Sequence, residues 1–313
     1  MMLWIIVGIV AGILLAVAVA LLLFGERGRP MRHSTWVMIR EGGFRRSLNV
    51  GNLLHGYFHG RWTNQYHKLL HSQIFPRLGP KGKRWLSDRI HLKVLTQDQA
   101  EAIINCDHHI PLQDLDQIIP YPMARDFLLK GPPDVAAYEC PCRHTRAKHC
   151  EPTQVHLIVG KTFVDFMLEH NPRSTRRITQ AEALEILRAE HERGHLHSAF
   201  FAHHFHDRFF SICNCCKCCC QGIEGMMKHG IPMFASSGYV ADVDGTLCTA
   251  CGVCKDACPF EAMQVGNIAA VNREVCMGCG VCVGQCPDDA ISLVRDDKRG
   301  IPLDVRLLAQ QEE

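Results

Sequence analysis

Eight cysteines near the C-terminus constrain this chain more than any other feature. From Cys248 it reads C-T-A-C-G-V-C-K-D-A-C-P and from Cys276 C-M-G-C-G-V-C-V-G-Q-C-P, one pattern repeated after twenty-eight residues. Two residues between cysteines let a tight loop aim successive thiolates at one centre, and Gly252, Gly278 and Gly280 supply the turns such a loop needs. Zinc also uses C-x-x-C pairs, but takes four ligands in two pairs. Here three cysteines at this spacing precede a fourth before Pro259 and again before Pro287, which favours iron–sulfur ligation.

Residues 239 to about 296 resemble the bacterial-type two-[4Fe-4S] ferredoxin family, with every motif cysteine present. In that family the fourth cysteine of each run crosses to the other cluster. The resemblance therefore implies that Cys248, Cys251, Cys254 and Cys286 hold one [4Fe-4S] cluster and Cys276, Cys279, Cys282 and Cys258 the second. It also implies single-electron transfer, and no residue in the runs suits the role of catalytic acid, base or nucleophile. With the C-P-C-R and I-C-N-C-C stretches upstream, the whole chain is similar to membrane-anchored ferredoxin-containing proteins that carry an additional Cys-rich domain.

The chain has eighteen cysteines in 313 residues, with none in its N-terminal third. Their grouping indicates metal ligation in a reducing compartment rather than a disulfide scaffold. The net charge of +2 conceals an asymmetry: residues 240–313 hold six Lys or Arg against twelve Asp or Glu, and residues 25–239 hold twenty-eight against twenty. Bound clusters would make the acidic end more negative, since a [4Fe-4S] core with four thiolates carries about −2. Such an end suits a basic redox partner protein; no nucleic-acid partner is expected, because no sustained basic run occurs.

Residues 3–24 carry no charge and as a helix would rise roughly 33 Å, enough for a bilayer core. Arg27, Arg29, Arg32, Arg40, Arg45 and Arg46 follow the run and no basic residue precedes it. A cleaved signal peptide would have a basic start and a shorter apolar core, so a retained anchor is expected. The expected location is the cell membrane, single-pass, with soluble domains facing the cytoplasm and a membrane-associated redox complex as partner.

The fold class expected is α+β: an N-terminal transmembrane helix, a mainly helical Cys-rich middle domain and a C-terminal ferredoxin-like two-cluster domain. The boundaries are 1–26 for the anchor, 27–135 for a helical, loop-rich region, 136–238 for the Cys/His-rich middle, 239–300 for the ferredoxin domain and 301–313 for a tail. A helix is expected within residues 92–105, with Thr96 and Gln99 as a capped start, a strand over 155–159 and a short helix over 162–169. The firmest helix is 180–193, opened by Thr179 with Glu182 and closed by Gly194. His191 to His195 reads H-E-x-x-H, but Gly194 ends the helix that a zinc protease would need to continue. His195, His197, His203, His204 and His206 read more readily as a polar edge among phenylalanines than as a metal site.

A second cysteine constellation comprises Cys140, Cys142 and Cys150 with Cys213, Cys215, Cys216, Cys218, Cys219 and Cys220. Cys213, Cys216 and Cys219 have cluster-loop spacing, with Cys140, Cys142 or Cys150 as source of a fourth thiolate; adjacent cysteines diverge and do not readily share one cube. A third iron–sulfur cluster is the leading expectation, against zinc or redox-active thiols. The function expected is a membrane-anchored electron-transfer protein, a carrier or subunit rather than a stand-alone enzyme. The alternatives are an oxidoreductase with the middle cysteines as reactive site and a redox or iron sensor. No Rossmann fingerprint or P-loop supports nucleotide chemistry.

Overall fold

The computed structural model describes residues 2–24, 32–41, 50–107, 110–113, 118, 126–129, 132–205 and 208–309. The chain divides into two compact units, residues 1–50 and 51–313. The first contains the helices Met2–Phe24 and His33–Glu41. Among the described residues no helix is long and apolar enough to cross a membrane. The expected transmembrane helix, and the single-pass membrane location that rested on it, are therefore corrected.

The second unit is built on a sheet, which also corrects the expectation of a mainly helical middle domain. Its strands are β1 (Ile90–Leu95), β2 (Ile110–Gln113), β3 (Asp126–Leu129), β4 (Val135–Tyr138), β5 (His156–Val159), β6 (Thr175–Ile178), β7 (Leu196–Ala202), β8 (Arg208–Cys215) and β9 (Phe234–Ala235). The order is β6-β4-β5-β8-β7-β1-β9, with the β2–β3 hairpin joined through β3 to β8. All neighbours on the main path are antiparallel except β1 and β9. β4 straddles residue 135, so the sheet runs through both regions drawn from the sequence. Helix periodicity misreads β1 because the strand is buried on both faces, leaving no alternation to mark it. It buries even Lys93, whose Nζ donates to the carbonyls of Ile118 and Ile301 at 2.8 Å each. Burial draws the Lys93 pKa down to about 7.

The local helix signals fare better. Thr96 caps Gln97–Ile104 in a full capping box with Gln99, although the helix starts only after β1 ends. Lys161–His170 is helical. Thr179 accepts from the Glu182 N–H and opens Gln180–Glu192, and Gly194 follows with φ +76°. Two packed layers flank the sheet. On one face Leu157, Val159, Ile212 and Ala199 bury against the helices Gln97–Ile104 and Gln180–Glu192, and Leu303, Val305 and Leu308 from the chain end join them. On the other, Leu92, Val94, Leu196 and Cys215 share one continuous core with Phe234, Phe260 and the C-terminal cysteines.

The C-terminal repeat is small and symmetric in its backbone. β10 (Tyr239–Val243) pairs with β13 (Ile291–Arg295), and β11 (Met263–Val265) with β12 (Ala269–Val271), both antiparallel. Positive φ recurs at positions twenty-eight residues apart: Ala250 and Gly278, Gly252 and Gly280, Glu261 and Asp289. The duplication read from the cysteines is thus a duplication of conformation.

Candidate metal centres

The two runs close around two separate cavities. One, of about 20 Å³, is lined by Cys248, Cys251, Cys254 and Cys286. The other, also of about 20 Å³, is lined by Cys276, Cys279, Cys282 and Cys258. Each cavity thus takes three cysteines from one run and the fourth from the other. Backbone amides aim at the sulfurs in the same crossed sense: Ala269 N–H donates to Cys248 Sγ at 3.3 Å, and Ala241, twenty-eight residues earlier, to Cys276 Sγ at 3.4 Å. Ala262 and Ala290 donate to Cys258 and Cys286, at 3.3 Å each. Burial pushes the Cys279 thiol well above its ordinary pKa and Cys282 up to about 12, with neighbouring cysteine charges adding to both. Thiolates crowded in this way need cationic iron to be stable, and donor set, cavities and amide dipoles together fit an iron–sulfur cluster.

The middle cysteines divide into two groups, and the division differs from the one suggested by spacing. β8 presents alternate residues to one face, so Cys213 and Cys215 point together into a pocket. Cys140 caps the short helix Pro141–His144, which carries Cys142, and Cys220 caps Gln221–His229. These five line one pocket of about 90 Å³ with His156, His67, Tyr66, Phe200 and Phe210 among its walls. Cys140 interacts with Cys142, Cys142 and Cys215 with Cys220, and Cys215 with Cys213. His156 closes the ring by contacting both Cys213, at 3.8 Å, and Cys140.

The thiols around this ring are shifted in opposite directions by one another. The Cys142 thiol, opposed by burial and aided by His156 and the Arg143 N–H, holds Cys140 well below the ordinary thiol range. Cys142 and Cys215 donate to Cys220, which is held low in spite of burial, with the Ile223 and Gly222 N–H groups of its helix assisting. Cys213 falls to about 6, chiefly through Cys215, while the two donors Cys142 and Cys215 are raised. Burial alone would lower His156, but the negative charge on Cys213 and hydrogen bonding to Cys140 lift it to about 10.

The second group is Cys150, Cys216, Cys218 and Cys219, whose sulfurs all lie within 4.8 Å of one another. Of the third-cluster set drawn from the sequence, Cys213 therefore sits with Cys140 and Cys142, while Cys216 and Cys219 sit with Cys150. Cys216 also lines the pocket. Cys215, Cys218 and Cys220, surplus thiols to that ligand set, fall into both groups: Cys215 and Cys220 into the first, Cys218 into the second. The C-x-C spacing of Cys213 and Cys215 would have flagged one face once that stretch was known to be a strand. Adjacent cysteines do converge here: the turn after β8 brings Cys218 and Cys219 Sγ to 3.3 Å. Cys106 packs in the opposite core, apart from both groups.

Arg143 lies beneath these cysteines, fully buried. It pairs with the equally buried Glu190, donates to the Pro152 and Asn214 carbonyls and meets His195 Nδ1 at 3.0 Å. Its charge acts on both Cys140 and Cys216. His195 also bonds Glu190 at 2.8 Å, and His197 bonds Asn214 at 2.6 Å, so these two histidines serve buried polar pairs. His203 lies in a 3-10 turn; the side chain of His204 and all of His206 fall outside the described residues.

Residues 241–287 match the family model of a 4Fe-4S dicluster domain. No curated protein and no solved structure matches the chain. The match and the cysteine geometry agree on a ferredoxin-type iron–sulfur module at the C-terminal end.

Proposed function

We propose that this chain is an electron-transfer protein in which Cys248, Cys251, Cys254 and Cys286 hold one [4Fe-4S] cluster and Cys276, Cys279, Cys282 and Cys258 a second. The observation that carries the reading is the pair of cavities, each lined by three cysteines of one run and the fourth of the other. Such clusters, when bound, accept and release one electron at a time. The protein's own part is to exclude water, supply the thiolates and stabilise their charge with the four alanine amides. The acidic surface of this end suits a basic redox partner protein.

The Cys140, Cys142, Cys213, Cys215 and Cys220 pocket is the internal exchange site in this reading, as a third iron–sulfur site. Support comes from continuity of packing: Cys215 and Cys220 belong to the same core as Cys254, Cys258 and Cys282. Phe234 stacks edge-on to Phe260 at 5.5 Å within it, and Lys217 Nζ donates to the Asp256 carbonyl between the two cysteine-rich segments. One observation favours the oxidoreductase alternative for the same pocket. Its cavity of about 90 Å³ is several times that of either ferredoxin site, about 20 Å³ each, which leaves space for a small ligand beside the thiols.

The test is a set of single variants of protein purified without oxygen, with iron and sulfide counting and EPR during a redox titration. Cys258→Ser should lose the same signal as Cys279→Ser, and Cys286→Ser the same signal as Cys251→Ser. If Cys258→Ser instead groups with Cys251→Ser, the crossed assignment fails. Cys220→Ser should remove iron beyond the two ferredoxin cubes; wild type with about eight irons in all would exclude the third site.

A further inference from the structure

The Cys150, Cys216, Cys218 and Cys219 group is distinct from the five pocket cysteines just described, although Cys216 borders their pocket, and its dimensions differ from those of a cluster site. A tetrahedral zinc ion with Zn–S bonds of about 2.3 Å places its four sulfurs about 3.8 Å apart. The four sulfurs here lie within 4.8 Å of one another, with Cys150 to Cys218 at 2.8 Å and Cys218 to Cys219 at 3.3 Å. An iron–sulfur cube holds its thiolates on four different irons, hence farther apart. The 2.8 Å contact is also well beyond the ~2.05 Å of a disulfide. Both short contacts involve Cys218, which is exposed and lies in a turn.

We propose that Cys150, Cys216, Cys218 and Cys219 form a single-ion tetrathiolate site for zinc. Four sulfur donors and a closed tetrahedron are the donor set of a structural zinc site, with no position left open for substrate. Two guanidinium groups, each also paired with a glutamate, lie beside such a centre. Arg146 Nε donates to the Cys219 carbonyl at 3.4 Å, and the buried Arg143 lies on the Cys216 side, where its Nη2 donates to the Asn214 carbonyl at 3.3 Å. The role follows from connectivity. Cys150 lies on the loop after Pro141–His144, the helix that carries Cys142, and the other three lie between β8 and Gln221–His229, beside Cys215 and Cys220. One ion therefore clips together the two segments that carry the pocket cysteines, with Cys216 the one ligand that also lines the pocket.

The test uses the full chain purified without oxygen. Metal analysis should find about one zinc per chain, and X-ray absorption at the zinc edge should give four sulfurs at about 2.3 Å. Protein produced with cobalt in place of zinc should show tetrathiolate charge-transfer bands. Cys150→Ser/Cys218→Ser should reduce zinc to near zero while the ferredoxin iron remains, and Cys251→Ser should lose iron while zinc remains. Because both altered thiols of the double variant are at least partly solvent-accessible, retained iron also certifies that it folds. The proposal is overturned by absence of zinc in wild type, by zinc that survives the double variant, by iron and sulfide lost with Cys150, or by a Cys150–Cys218 disulfide in peptide mapping of protein kept reduced.

Discussion

Replacing Arg143 by Met tests how the cysteine sites are held in place. The side chain is fully buried, as is its partner Glu190. Orphaning one member of a buried ion pair costs about 3–5 kcal/mol. Glu190 would still keep His195 at 2.8 Å and Arg193 at 3.0 Å, which puts the loss on that side at the lower end, about 3 kcal/mol. The Pro152 and Asn214 carbonyls each lose a charged donor, adding on the order of 1 kcal/mol apiece. The total, about 4–5 kcal/mol, corresponds to a fall of roughly 8–20 °C in Tm for a unit of this size. Urea unfolding in oxygen-free buffer, followed by circular dichroism and iron release, measures it. The exposed Arg188→Met is the control, expected within about 0.5 kcal/mol of wild type. Arg143→Met/Glu190→Met should cost less than the two singles combined by about 2 kcal/mol, because no isolated charge is left behind. A cost for Arg143→Met within 1 kcal/mol of the control, or strict additivity in the double variant, would refute the reasoning.

Further outcomes follow from particular contacts. Burial opposes the ionisation of Glu224, but Arg146 and Lys228, with His71, hold its pKa at about 2 against an ordinary 4.5. The folded value is depressed, so its contribution is complete above about pH 4.5 and is lost as pH falls toward 2. Glu224→Gln should cost about 2–3 kcal/mol at pH 7 and flatten the stability profile between pH 5 and 3, checked by urea melts across that range. Gly278→Ala should be much worse than Gly252→Ala. A Cβ at 278 would lie 2.1 Å from the Tyr239 carbonyl oxygen, whereas one at 252 meets nothing within 4 Å. We expect a loss of roughly 3 kcal/mol or more and poor iron incorporation at 278, against about 1–2 kcal/mol of left-handed strain at 252. Ala250 already occupies the position equivalent to 278 at φ +56°, so steric overlap and not φ is the cause; equal effects at 252 and 278 would contradict this. Cys258→Ser should halve the ferredoxin iron and spare the cavity of Cys248, Cys251, Cys254 and Cys286, read by iron counting beside Cys279→Ser.

What was legible in the sequence was local. A cluster loop is specified by residues two and three apart, so the two runs and their repeat could be read without a fold, and the dicluster family match falls on them. Helix ends are equally local: Thr96, Thr179 and Gly194 mark boundaries through bonds spanning three residues. The apolar run near the N-terminus is also local, yet among the described residues it yields no helix able to cross a membrane, so composition alone overreached there.

The middle of the chain was decided by partners distant in sequence. β1 could not be distinguished from helix because both its faces are covered, by Phe234 and Ile223 on one side and by the helix Gln97–Ile104 on the other. Arg143 and Glu190 are forty-seven residues apart and Cys150 and Cys218 sixty-eight, separations at which spacing carries no information. Cysteine chemistry was therefore determined by the sequence, which fixes how many thiolates exist and which loops can wrap a cube. Which thiolates meet was determined by the sheet: β8 turns Cys213 and Cys215 to one face, the turn after it gathers Cys216, Cys218 and Cys219, and only packing against the loop after Pro141–His144 joins either group to its other half.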